Sequence, residues 1–331
     1  MPARPPMLLV AATAVVMVVV AASEAKVYGA AVNKSPWSRS EQVAPLVQVI
    51  VPPQRAQATM PPQRAQAMTP PAQAQEMMPP ERAPATAALG ALPARIQQAT
   101  DNAAAEGATI SVAVLDRATN EMVSSNNQQI NGIASVAKLF IADELLRRES
   151  QGDTTLSAED RTALDDMLRS SDDEAAEKFW DQAGGDAIIT QLATRYGLTA
   201  TTPGDDGQWW NAISTAADLA RYYQMLLDGS GGLPPERAET IVNDLAQSTP
   251  TGVDGYPQRF GIPDGLYAEP VAVKQGWMCC VGEDWMHLST GVVGPDRRYI
   301  MVIESLQPSD DATARATITN AVKTMFPDGR I

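Results

Sequence analysis

Residues 130–149 read INGIASVAKLFIADELLRRE, and the rest of the chain organises itself around them. From Ser135 the apolar residues recur at helical spacing, with Arg147 and Arg148 in the last turn, so a helix is expected over Ser135–Glu149. Upstream, residues 108–116 (ATISVAVLD) read as a buried strand. Thr119-Asn120 makes a turn, and Glu121–Ser125 returns as a hairpin. Downstream, Ser157-Ala-Glu-Asp160 has the form of a capping box opening a helix to about Arg169. Further helices are expected over Asp172–Gln182, over Asp186–Tyr196 with Gly197 as its stop, from Thr215 to Gly229, and over Pro235–Gln247. Three strands, Val271–Met278, Trp285–Val293 and Tyr299–Ser305, precede a closing helix, Ala312–Met325. Strands at both ends with helices between them imply an α+β fold: one antiparallel sheet, built from both ends of the domain and flanked by helices.

The same stretch carries chemistry. In Ser135-Val-Ala-Lys138, three residues of helix put both side chains on one face, about a turn apart. Free N–H groups at a helix start favour an alkoxide or acyl oxyanion on the serine. The positive end of the dipole, and burial, disfavour the ammonium form of Lys138, as a lysine base requires. The pattern alone is weak, since Ser23-Glu-Ala-Lys26 repeats it near the amino terminus. Two more elements join it: Ser171-Asp172-Asp173 between two helices, and Lys274-Gln275-Gly276 on the first carboxy-terminal strand. Taken singly, the first reads as a helix cap and the second as a surface lysine beside a bulge glycine.

Together, S-x-x-K, then S-D-N, then K-T-G, in that order, is the signature of the penicillin-recognising serine enzymes. The chain resembles class A β-lactamases and the related D,D-peptidases over roughly residues 88–328. That resemblance implies a β-lactamase-like fold with a reduced all-helical subdomain, since Ser135 to Ser171 is shorter than in typical class A enzymes. It implies Ser135 as the acylated nucleophile, Lys138 as its base, and Ser171 as the proton relay to the leaving nitrogen. Lys274 would attract a substrate carboxylate and polarise Ser171, with Gln275, Gly276 and Trp277 alongside it. The backbone N–H groups of Ser135 and Trp277 would hold the oxyanion. The implied ligand is a β-lactam or a peptidoglycan-type peptide.

Several departures from the pattern bear on activity. Asp173 stands where the family has Asn; its carboxylate would repel a substrate carbonyl or carboxylate, or pair with Lys138. Gln275 replaces a hydroxyl residue. Residues 199–213, TATTPGDDGQWWNAI, contain no Glu of the kind that activates the deacylating water; Asp205 and Asp206 read as a turn, with substitution for that Glu as the alternative. A lost general base costs about 100- to 10,000-fold, so slow deacylation is expected, with a catalytically weakened relative that binds cell-wall peptidoglycan or a protein partner as the alternative.

Cys279 and Cys280 are adjacent, with Cα atoms expected about 3.8 Å apart, below the usual disulfide range, so two free buried thiols are expected, with oxidation the alternative. His287 reads as structural. Trp209-Trp210 reads as packing of the short loop, with a substrate groove as the alternative.

The amino-terminal part differs in kind. Residues 7–22, MLLVAATAVVMVVVAA, form an apolar run that suits a cleaved signal or an uncleaved membrane anchor, so residues 1–22 are assigned to export and the body to the cell envelope or the exterior. No Cys lies near it to carry a lipid. Residues 23–87 repeat PPQRAQA-like units every nine residues and read as a disordered stalk, leaving 88–331 as the hydrolase domain. The first 85 residues hold 14 of the 25 prolines, with seven basic and four acidic side chains. The remainder is strongly acidic, and the net charge of −14 argues against nucleic acid as a partner. Two Cys and one His leave no multi-Cys zinc site and make a Ser–His–Asp hydrolase improbable, so neither a cofactor nor a metal is expected.

Overall fold

The computed structural model describes residues 89–126, 128–130 and 132–331. The expected leader at 1–22 and stalk at 23–87 lie outside the described residues.

The described residues build an antiparallel sheet in the order β2-β1-β7-β6-β5. Its strands are β1 (Thr109–Asp116), β2 (Glu121–Ser124), β5 (Val271–Val281), β6 (Asp284–Val293) and β7 (Tyr299–Gln307). The first hairpin turns through Asn120 at φ 56° and sets Asp116 opposite Glu121. β1 then pairs with β7, so the two ends of the domain meet at the centre of the sheet. A second, two-stranded sheet joins β3 (Gln129–Ile130) to β4 (Ser214–Thr215).

Alternation along the strands separates two cores. Ile110, Val112, Val114, Met301 and Ile303 face one side, where α1 (Leu92–Ala105) packs with the closing helix α9 (Asp311–Met325). Ala113, Leu115, Leu288, Ile300 and Val302 face the other, against the helical layer. That layer comprises α2 (Lys138–Gln151), α3 (Ala158–Arg169), α4 (Asp173–Ala183), α5 (Asp186–Tyr196), α6 (Ala216–Asp228) and α7 (Pro235–Ala246); a short turn, α8 (Ile262–Gly265), leads into β5. The interval from Ser135 to Ser171 contains only α2 and α3, consistent with a reduced helical subdomain.

Helix α2 runs through the middle of this layer. Every residue from Lys138 to Leu146 is buried, polar Asp143 and Glu144 included. Asp143 accepts from Arg195 Nη2 at 2.6 Å and from the Tyr196 hydroxyl, which satisfies a carboxylate that could not otherwise remain there. The capping box of α3 forms as its sequence implies: Asp160 N donates to Ser157 Oγ at 3.0 Å and Ser157 N to Asp160 Oδ2 at 2.9 Å. Thr215 caps α6 by one bond alone, its Oγ1 accepting from Asp218 N at 3.1 Å.

Helix α1 is the element sequence reading passed over. Leu92, Ile96, Ala99 and Ala103 form its buried stripe, and Pro93 sits in its first turn. The stripe is half alanine, so its periodicity is faint; packing on α9 and β1 supplies what it lacks in apolar content.

Candidate active site

Ser135 lies in a 3₁₀ turn, Ala134–Ala137, that runs directly into α2, so Lys138 is the first residue of that helix. β5 packs against this turn at Gly276. A Cβ on Gly276 would come within 2.8 Å of Ile133 O and 3.3 Å of Ala134 Cβ, so only glycine lets the strand approach the segment that carries Ser135. On the other side, Ser171 immediately precedes Asp172, the N-cap of α4, whose carboxylate accepts from Glu174 N at 2.8 Å and Ala175 N at 3.1 Å. Ala134 and Ser171 both hold left-handed backbone, φ 46° and 58°. Such residues cost about 1–2 kcal/mol each outside glycine and persist where the surrounding structure over-determines them. Here one residue directly precedes Ser135 and the other is Ser171 itself, which carries the second hydroxyl of the site.

Four polar side chains from three separate segments meet. Lys138 Nζ is 2.9 Å from Ser135 Oγ, 3.1 Å from Ser171 Oγ and 2.8 Å from Ser171 O. Lys274 Nζ is 2.8 Å from Ser171 Oγ. The Ser171 hydroxyl therefore sits between two amines, and a continuous polar path leads from Ser135 through Lys138 and Ser171 to Lys274. Neither lysine reaches solvent: Lys138 is 0% and Lys274 1% exposed. Burial pushes the Lys138 ammonium below the ordinary lysine value, while Asp173 draws it back up. Burial, and the neighbouring Lys138, push Lys274 well below that value. Two amines held toward their neutral forms can each take a proton from a hydroxyl.

Asp173, the first residue of α4, adopts the pairing alternative: its Oδ1 accepts from Lys138 Nζ at 2.5 Å, although the carboxylate is 70% exposed. The ammonium has three hydrogens, and four oxygens lie within 3.1 Å of Nζ. At least one of those contacts is therefore shared, or is an O–H donating to the neutral amine.

The opening above Ser135 is a cleft of about 240 Å³ lined by Ala134, Ser135, Asp173, Trp209, Trp210, Asp254, Trp277 and Met278. Trp209 is buried, donates to Glu177 Oε2 at 3.1 Å and has Lys138 Nζ 4.9 Å from its ring centre; Trp210 meets it edge-on and is exposed. Both indoles thus line the cleft, which corrects the expectation that they only pack the loop. Trp277 forms the far wall, stacked 4.5 Å from Tyr256. Behind it, the Tyr256 hydroxyl lies 2.7 Å from His287 Nε2 and donates to Asp311, which leaves His287 a structural role.

Gln275 does not share the cleft. Strand alternation turns it to the opposite face of the sheet, where its Nε2 donates to Phe260 O at 2.6 Å and Gln258 O at 3.0 Å. Asp205 and Asp206 are also outside it; Asp206 accepts from Gln208 N and Asn211 Nδ2 within its own turn. The cleft carboxylates are Asp173 and Asp254. Sequence reading missed Asp254: it lies in a polar loop with no local pattern to mark it, and only the fold brings it over Ser135.

The cysteine expectation is also corrected. Cys279 and Cys280 are exposed, not buried, and they are joined to each other, with Cα atoms 3.0 Å apart across a cis peptide. The assumed 3.8 Å spacing applies to a trans bond. Among the described residues, no cluster of three or more His, Cys, Asp or Glu is placed to hold a metal ion, and no helix is long and apolar enough to cross a membrane.

No family model matches the chain. "Putative lipoprotein LppW" of Mycobacterium tuberculosis (strain ATCC 25618 / H37Rv) is 74% identical over 242 residues, which span 73% of this chain and 77% of the relative. Among solved structures, a β-lactamase from Chitinophaga pinensis DSM 2588 aligns with a TM-score of 0.58 at 14% identity, covering 71% of this chain and 98% of its own. A PBP-A variant in an acyl-enzyme complex with penicillin G aligns with a TM-score of 0.58 at 18% identity, covering 72% of this chain and 96% of its own. At these identities the structural matches establish a β-lactamase-like fold.

Proposed function

The chain belongs to the LppW family, and from that premise and the side chains gathered at Ser135 we propose that it is an exported serine hydrolase, acylated at Ser135 by β-lactams or D-Ala-type peptides and slow to release the acyl group. The observation that carries this reading is the buried Lys138 amine 2.9 Å from Ser135 Oγ.

In this mechanism Ser135 Oγ attacks the carbonyl and its proton passes to Lys138 Nζ. The backbone N–H groups of Ser135 and Trp277 hold the oxyanion. Ser171 Oγ gives its proton to the leaving nitrogen and takes back from Lys138 Nζ the proton that came from Ser135, while Lys274 stays hydrogen-bonded to Ser171 Oγ. Gly276 keeps β5 close enough for the Trp277 backbone to take part. Gln275, which faces the other core, has no part in binding. Deacylation needs a base for water. The loop from 199 to 213 supplies none to the cleft; of the two cleft carboxylates, Asp173 is engaged by Lys138 and Asp254, exposed in the loop before α8, holds Tyr256 N.

Export is supported by the apolar run at 7–22 and by the relative's printed description. The lipid in that description is not carried over, because the cysteines of this chain are Cys279 and Cys280, bonded to each other. We assign 1–22 to a leader or anchor, 23–87 to a stalk, and 88–331 to the catalytic domain.

Burst kinetics test this reading. A chromogenic cephalosporin should give a Ser135-dependent burst close to one product per protein, followed by slow turnover. Fast turnover without a burst contradicts the slow release. A second reading follows from the Asp173–Lys138 pair, which favours the ammonium and so a weakened enzyme that binds peptidoglycan. Pull-down of peptidoglycan by Ser135→Ala, with no burst from the parent protein, supports that alternative.

A further inference from the structure

The wall of the cleft has a charge that the acylation reading does not explain. Two carboxylates, Asp173 and Asp254, line it together with three indoles and a thioether. No basic side chain lines it. Lys274 is sealed beneath Ser171, and Lys138 is already paired with Asp173. The acidic groups acting on these amines are Asp172 at the N-cap of α4 (on Lys138), Asp173 on α4 and Asp254 in the loop before α8; the basic group acting on Lys274 is Lys138, itself paired with Asp173. A carboxylate entering here would meet like charge, while Lys138 is held by Asp173 and Lys274 lies beneath Ser171. An ammonium or guanidinium would meet two opposite charges and the faces of Trp209, Trp210 and Trp277, which attract cations through the ring quadrupole.

We infer that the cleft prefers a ligand bearing a cationic group, held between Asp254, Asp173 and the indoles; on the acyl-transfer reading, on which the substrate role rests, Ser135 is acylated fastest by donors that are cationic near the scissile carbonyl, and penicillins and D-Ala-type peptides, which carry a carboxylate there, acylate it slowly. Asp254 and Asp173 are then specificity-determining residues. Asp254 is exposed and accepts only from Tyr256 N, at 2.9 Å, among the described hydrogen bonds, which leaves its other oxygen to the cleft.

The test uses three p-nitrophenyl esters of similar length: a 4-(trimethylammonio)butyrate, a neutral hexanoate and an anionic glutarate monoester. In each, Ser135 Oγ takes the acyl group, the C–O bond to p-nitrophenolate breaks, and the hydroxyl proton passes to Lys138. The Ser135-dependent acylation rate should be at least about tenfold higher for the cation than for the anion, with the neutral ester between. The ratio should shrink severalfold in Asp254→Asn, which keeps the backbone hydrogen bond, and shrink again in 0.5 M NaCl. Equal rates, or a faster anion, overturn the inference. A protein showing no Ser135-dependent acylation with any ester counts against the hydrolase reading; binding of benzyltrimethylammonium and phenylacetate to Ser135→Ala, followed by tryptophan fluorescence, then decides the charge preference. Tighter binding of the cation sustains it, and equal or weaker binding overturns it.

Discussion

Asp173 Oδ1 lies 2.5 Å from Lys138 Nζ, so the amine that faces the Ser135 hydroxyl is also the partner of an acidic side chain. Two opposing influences meet on one nitrogen. Burial disfavours its charge and is the larger of the two; the carboxylate favours the charge and offsets part of that shift. The result is a lysine held below its usual range, though less far below than an amide at position 173 would leave it.

Asp173→Asn removes the carboxylate charge and should lower the Lys138 pKa further. The base form of Lys138 is the neutral amine, so acylation rises with pH through that pKa. The acid limb of the acylation rate against pH should therefore move to lower pH in Asp173→Asn. An unmoved limb, or one displaced to higher pH, contradicts Lys138 as the base.

Lys274 sits under Ser171 with its amine toward the Ser171 hydroxyl. Lys274→Met keeps most of the volume and removes the amine. Replacing a buried ionisable group by an apolar one of similar size is often neutral or stabilising, whereas losing a positioned proton-transfer partner costs about 100- to 10,000-fold. Stopped-flow acylation should fall within that range while the melting temperature holds or rises. A parallel loss of stability and activity would assign Lys274 to the scaffold.

Gly276→Val tests the approach of β5 to the Ser135 turn. The added Cβ meets Ile133 O at 2.8 Å, and backbone must move to make room. Overpacking of this kind costs about 1–3 kcal/mol. Denaturant unfolding should show that loss, with a slower acylation in the protein that remains folded.

Glu304, on β7 between Ser111 and Leu288, is pushed up to about 8 by burial. The folded protein therefore binds a proton there that the unfolded chain releases near its ordinary value of 4.5. Stability falls as pH rises between those values, by at most about 1.4 kcal/mol per pH unit. Glu304→Gln should flatten that decline, so the gap in melting temperature between variant and parent should widen from pH 5 to pH 8. A gap that is constant across the range contradicts the assignment.

Most of the fold is legible in the sequence because its elements carry their own boundary chemistry: the Ser157–Asp160 box, the Thr215 cap, and the left-handed Gly197 and Gly229 at helix ends. Helix α1 escapes because its buried stripe is half alanine. At the site, the order of Ser135, Lys138, Ser171 and Lys274 along the chain marks them as candidates, and the fold places each within 3.1 Å of the next. Gln275 failed for a local reason: its neighbour Lys274 faces the cleft, and strand alternation then turns Gln275 away. Asp254 and the indoles of Trp209 and Trp210 reach the cleft through loop paths, which residue spacing does not encode.

Intact-mass analysis of the protein after exposure to a penicillin, with peptide mapping of any adduct and Ser135→Ala alongside, tests the central claim most directly. A stable increment of one penicilloyl group on the peptide containing Ser135, lost in Ser135→Ala, is the expected result. An unmodified mass in folded protein after prolonged exposure to both penicillin and the esters, or an adduct that persists in Ser135→Ala, would contradict the account.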